Sequence, residues 1–155
     1  MGKRRDSPVH SHFALQNCIQ VLYLFWYTGF VDAPERPLIW IGNSKKDLMR
    51  LPVLVRKFFG HALHFAQLGE QHDAAKVLKG FGGSLVLELL EDDSAGTYRA
   101  VYTVKFEQAV FVLHCFQKKS KRGISTPTKD MDIIRARLKI AEALAKELRD
   151  GKSRS

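Results

Sequence analysis

Three β-rich segments follow one another with almost no chain between them: residues 85–90, 97–105 and 109–117. Asp92-Asp93-Ser94-Ala95-Gly96 joins the first two, and Phe106-Glu107-Gln108 joins the last two. Connections this short cannot carry a crossover, so the segments must be antiparallel neighbours, a meander. Everything else in the chain has to pack around that sheet. Upstream, Leu38-Ile39-Trp40-Ile41 is a short apolar run closed by Gly42-Asn43, which predicts a buried first strand. Ser44 to Asp47 reads as a Ser-x-x-acid cap opening a short helix. Pro52 suits the first turn of a second helix running to about Leu68, where Gly69 stops it. Downstream, Thr126-Pro127 opens a last helix. Its Met131, Ile134, Leu138, Ala141, Ala145 and Leu148 recur at threes and fours, and Gly151 ends it. The expected order is β-α-α-β-β-β-α. It is an α+β domain: two N-terminal helices and a C-terminal helix on a curved, mainly antiparallel four-stranded sheet.

The first 35 residues read differently. Met1 to Ser11 is polar and basic, and residues 13–31 are largely apolar, long enough to span a bilayer. Gln16, Asn17 and Gln20 argue against a clean span, and no small-residue cleavage site follows. Three readings stay open for this stretch: an appended or mis-started extension, a docked helix, or a membrane anchor or signal. The expected organisation is an extension over residues 1–35, a folded domain over 36–150, and a basic tail over 151–155.

Charge narrows the function. Lys and Arg number 25 against 16 acids, a net +9, and residues 117–155 alone hold twelve bases against five acids. Such an excess favours a polyanionic partner, nucleic acid or ribonucleoprotein. Cys18 and Cys115 form neither a disulfide framework nor a metal-ligand spacing, so a reducing cytoplasm is expected. The six histidines, at 10, 12, 61, 64, 72 and 114, show no ligand spacing with acids or cysteines. His61 and His64 read as surface or packing residues. Neither a metal nor another cofactor is expected. Gly80-Phe81-Gly82-Gly83 lacks a following Lys-Ser/Thr and reads as a turn, not a nucleotide cradle.

What remains is a basic and aromatic set on the meander. Lys76 and Lys79 precede it, and Arg99 and Lys105 lie on its middle strand. His114, Phe116, Lys118 and Lys119 close the last strand, followed by Lys121 and Arg122. Alternation puts His114, Phe116 and Lys118 on one face and Arg99 and Lys105 on one face of their own strand. Whether those faces coincide depends on register. Such residues suit RNA cleavage, in which a ribose 2′-oxygen attacks its own 3′-phosphate. A His or a Lys of depressed pKa moves protons, Arg clamps phosphoryl oxygens, and an aromatic ring holds an extruded base. A solvated basic edge that protects the sheet from aggregation is the plainer alternative.

The stretches "PLIWIGNSKKDLMRLP" (37–52), "AAKVLKGFGGSLVLEL" (74–89), "TYRAVYTVKF" (97–106) and "AVFVLHCFQKKSKRGISTP" (109–127) resemble the phage-derived, HigB-like branch of the RelE/ParE toxin superfamily. The resemblance covers about residues 36–148. It implies a toxin of a type II toxin–antitoxin pair, a metal-independent endoribonuclease that cuts mRNA on the ribosome and inhibits translation. A helix-turn-helix antitoxin is the implied partner, together with ribosome and mRNA, and no membrane partner is implied. Arg99 in "TYRAVY" matches the Arg of the family's middle strand and would stabilise the phosphoryl transition state. Lys79 and Lys118-Lys119 match basic positions of the branch, with Arg99, His114, Lys79 and Lys118 the candidate catalytic set. Lys76, Lys105, Phe116, Lys119, Lys121 and Arg122 are the candidate RNA contacts. The C-terminal catalytic Tyr of some relatives has no counterpart, since no Tyr follows Tyr102, so His114 or a Lys would have to act as base. A ParE-like gyrase poison on the same fold is the rival reading.

Overall fold

The computed structural model describes residues 34–83, 85–118 and 126–153. The expected 13–31 segment and the basic residues Lys119, Lys121 and Arg122 lie outside the described residues. The elements run β1 (Leu38–Trp40), α1 (Ser44–Met49), α2 (Val53–Gln67), β2 (Ala75–Val77), β3 (Val86–Asp93), β4 (Gly96–Thr103), β5 (Val110–Lys118) and α3 (Thr128–Lys152). The sheet has five strands, not the four expected, in the order β1-β5-β4-β3-β2. The meander is present with every neighbour antiparallel, and β2 extends it through Lys76 opposite Glu88. β1, however, pairs parallel with β5, Leu38 facing Val110, so the sheet is mixed. The physical reason is the path of the chain: α1 and α2 intervene between β1 and the meander, and return the chain in a way that a hairpin does not.

Helices cover both faces. On one, α1 and α2 bury Leu48, Val55, Phe59, Leu63 and Ala66 against Leu87, Leu89, Tyr98, Ala100, Tyr102, Val110 and Val112. On the other, α3 buries Ile134, Leu138, Ala141 and Ala145 against Ile41, Val86, Val101, Phe111 and Leu113. The alternation of β4 assigns its residues to these two layers: Tyr98, Ala100 and Tyr102 to one, Arg99, Val101 and Thr103 to the other. On β5 the alternation is interrupted. Val101 faces His114 but Tyr102 faces Val112, so Leu113 is the extra residue of a β-bulge. The bulge shifts the phase of the second half of β5 and turns His114, Phe116 and Lys118 onto the α3 face.

Ser44 links the layers at the start of α1, its buried hydroxyl donating to the Val112 carbonyl at 3.0 Å. It serves that tie and not a helix cap, for α1 has no side-chain capping hydrogen bond. Phe59, fully buried at the middle of α2, is the largest apolar side chain that helix contributes. Phe59→Ala should therefore lower the unfolding free energy by about 3–5 kcal/mol. Urea denaturation followed by far-UV circular dichroism measures it, and a loss below about 1 kcal/mol would contradict this packing.

Candidate functional site

Arg99 stands on β4 with its partners already in place. Its Nη1 donates to Glu88 Oε2 at 2.8 Å and to Thr126 Oγ1 at 2.6 Å, and its side chain is only 2% exposed. Glu88 belongs to β3, on the same face, and keeps 14% of its side chain exposed. Burial pushes the Glu88 carboxyl above the usual carboxylate range, against the pull of Arg99, Lys76 and Lys118, which favour the ionised form. A carboxylate so placed is a tunable proton acceptor.

Strand register builds the rest. One row across the α3 face runs Lys76, Glu88, Val101, His114, and the next runs Leu90, Arg99, Phe116. Lys118 follows opposite Thr97, and it is buried. Lys76, Glu88, Arg99, His114, Phe116 and Lys118 thus share one face of four adjacent strands, which alternation alone could not establish.

His114 is held from two sides. Arg137 Nη1 donates to His114 Nδ1 at 3.2 Å and to the carbonyl of the bulge residue Leu113 at 2.8 Å. An arginine can only donate, so Nδ1 is unprotonated and Nε2 carries the hydrogen that goes to Asp130 Oδ1 at 3.0 Å. Burial lowers the His114 pKa, the Asp130 hydrogen bond raises it, and Arg137 lowers it again, with the net shift downward. Phe116 stacks on the ring at 4.8 Å. Both ring nitrogens are engaged, so in this arrangement His114 orients its neighbours and tethers α3 to the sheet. It offers no free lone pair to a substrate.

Two of the expected residues stand apart. Lys105 is not on the middle strand, since β4 ends at Thr103. It pairs with Glu142 at 3.1 Å, twelve residues along α3 from Asp130 and so about 18 Å away at 1.5 Å per residue. Lys79 is exposed in the turn after β2, near the start of β3 and not beside Arg99. Tyr102 lies on the α1–α2 face, opposite Arg99, and burial pushes its phenol up to about 12.

Sequence reasoning missed Glu88, Thr126, Asp130 and Arg137. For Glu88 the signal existed: it is the one charge within the run VLELL, just as Arg99 is the one charge within YRAVY. Asp130 and Arg137 carried none, because on a surface helix their spacing reads as solvated face.

A family profile for phage-derived Gp49-like proteins matches residues 46–139, well over half of the chain. The chain belongs to the phage-derived Gp49-like family. That family falls within the RelE-like group of toxin–antitoxin proteins, and it brings an antitoxin as partner. The Gp49-like match runs from α1 into α3 and so takes in Glu88, Arg99, His114, Asp130 and Arg137. A comparison with curated proteins gives no match. Among the described residues no cluster of His, Cys, Asp or Glu could hold a metal ion, and no helix is long and apolar enough to cross a membrane.

The His114 geometry has a titration consequence. Its folded-state pKa lies below 6.5, whereas the unfolded chain takes up that proton near 6.5. The stabilisation is therefore complete above about pH 6.5 and declines as the pH falls towards the folded pKa. Ring-proton NMR should give His114 a midpoint below 6.5, and nitrogen shifts should report the Nε2–H tautomer at pH 7. A midpoint above 6.5 would mean that Asp130 outweighs burial, and would refute the neutral assignment.

Proposed function

We propose that this Gp49-like protein is the toxin of a type II toxin–antitoxin pair and a metal-independent endoribonuclease of ribosome-bound mRNA, acting in the cytoplasm. The observation that carries the reading is the Glu88–Arg99 pair at 2.8 Å, bracketed by Lys76 and Lys118 on the face where Phe116 stands. Cleavage by a ribose 2′-oxygen needs a base for its proton, positive charge for the phosphorane-like dianion, and a proton for the departing 5′-oxygen. Glu88, with its raised pKa, is the base. Lys76 and Lys118 supply charge, and an ammonium among them supplies the leaving-group proton. Arg99 holds Glu88 in position and reaches a phosphoryl oxygen when the phosphate replaces the Thr126 hydroxyl as acceptor. Phe116 offers a ring to an unstacked base, and Lys79 lies further out on the path of the backbone.

This assignment gives the role of base to Glu88 in place of the expected His114 or Lys, because both nitrogens of His114 are engaged and the lysines serve as cations. The site has charge and one ring but little else with which to read RNA. It therefore relies on the ribosome to hold mRNA in attack geometry, and positioning of that kind contributes several kcal/mol, on the order of 7–11 at best. The antitoxin of the pair is expected to be a helix-turn-helix protein, as in the HigB-like branch.

Glu88→Gln keeps the volume and one acceptor but removes the base, and cleavage of mRNA on translating ribosomes should fall by about 10²-fold or more. Arg99→Ala should do the same; each change breaks the buried Glu88–Arg99 pair and so also costs stability, and rates are compared for equal amounts of folded protein. The 5′ fragment should end in a 2′,3′-cyclic or 3′-phosphate, naked RNA should be cut negligibly, and EDTA should act only through the ribosome. Full toxicity of Glu88→Gln at equal expression would sink the assignment of the base. Intact transcripts with DNA breaks after induction would overturn the ribonuclease in favour of a gyrase poison.

A further inference from the structure

The corner between α1 and α2 exposes apolar surface that the fold does not use. Met49 is 57% exposed, Val53 55% and Leu54 77%. Pro52 is exposed between them, while Leu51 alone turns into the core. The two helices meet closely enough for Arg56 Nη1 to touch Met49 Sδ at 4.0 Å. From this corner a line of residues continues along α2: Leu54, Phe58, His61 and Phe65, then Leu68 just past its end, spaced four, three, four and three. Phe58, His61 and Phe65 form an aromatic patch around His72, with ring centroids 5.0–5.8 Å apart. Leu68 at the far end is 42% exposed. The line is about 21 Å long at 1.5 Å per residue, the length of a four-turn helix.

Its corner end is rimmed by basic residues, whereas Glu35, 3.4 Å from His64, and Glu70 stand towards the far end near Leu68. Lys45, Lys46, Arg50, Arg56 and Lys57 surround the corner, and the one acid among them, Asp47, already faces Arg50 at 3.6 Å and Arg137 at 4.0 Å. We infer that the α1–α2 corner is a docking surface for an acidic, amphipathic helix of a partner protein. That helix would place aliphatic residues at i, i+3 or i+4, and i+7 along Leu54–Leu68, with Asp or Glu on its flanks.

Charge decides against the other occupants. A second copy would set one basic corner against another. RNA would gain from the lysines but nothing from Met49, Val53 and Leu54. The inference is independent of the nuclease reading, since this corner lies on the opposite face of the sheet from Arg99.

The test uses the full chain and a synthetic 18-residue helical peptide with leucines at heptad spacing and glutamates elsewhere. A twin peptide carrying lysines in place of the glutamates is the control. The acidic peptide should shift backbone amides of residues 45–68 in NMR spectra of the labelled protein, and the lysine twin should not. Leu54→Asp should weaken binding at least about tenfold, as removal of a central apolar anchor does. An acid in the first turn of α2 favours the helix, so that loss cannot come from unfolding, and mRNA cleavage should be unchanged. Leu54→Ala should fall between wild type and Leu54→Asp. Equal binding of both peptides, or shifts centred on Glu88 and Phe116, would overturn the proposal. So would self-association abolished by Leu54→Asp, or displacement of the acidic peptide from the corner by a short RNA.

Discussion

Strands β4 and β5 lie between two helical layers, so a polar side chain on either must find its partner inside the protein. Removing one member of such a pair leaves a buried charge uncompensated, typically at a cost of about 3–5 kcal/mol. Arg99 meets this condition through Glu88 and Thr126, and His114 through Asp130 and Arg137. Thr103 does so on a smaller scale, its hydroxyl donating to the Leu85 carbonyl at 2.8 Å. These pairs do more than balance charge. They lock the rotamers of the site groups onto a rigid sheet, which is the form of preorganisation that electrostatic catalysis exploits.

The two basic regions of the chain fall on opposite faces of that sheet. Lys76, Arg99 and Lys118 lie with α3, whereas Lys45, Lys46, Arg50 and Lys57 lie with α1 and α2. The net charge of +9 is therefore not a uniform coat. A polyanion and a protein partner can be accommodated at once, each by surface chemistry of its own: cations around a carboxylate on one side, cations around aliphatic side chains on the other.

The local parts of this architecture were legible in the sequence. Pro52 and Gly69 bracketed α2, hydrophobic periodicity located α3, and short connections dictated the antiparallel meander, because all of these signals are carried by neighbours in the chain. The parallel pairing of β1 with β5 was not legible, since no local feature of Leu38-Ile39-Trp40 records a partner at Val110. Nor was β2, whose Lys76 and Val77 are both exposed and which spans only three residues. The candidate site divided in the same way. Arg99 stood out as a charge within an apolar strand, but its alignment with His114 and Phe116 required the bulge at Leu113, which leaves no mark in a run as uniformly apolar as AVFVL.

The place of β5 between β1 and β4 also bears on when this protein becomes whole. β3 and β4 form a hairpin as soon as they are made, but the sheet closes only when β5 can slot between that hairpin and a strand 72 residues upstream of Val110. Pairing over such a separation is slow, because chain entropy must be lost before contacts compensate for it. Fifteen residues separate Thr103 from Lys118, or roughly one to three seconds of synthesis at 5–20 residues per second. During that interval Glu88 and Arg99 exist without Phe116, Lys118 or Thr126. A nascent chain therefore carries an incomplete site, and whatever the assembled site does must wait until β5 and the start of α3 have left the ribosome.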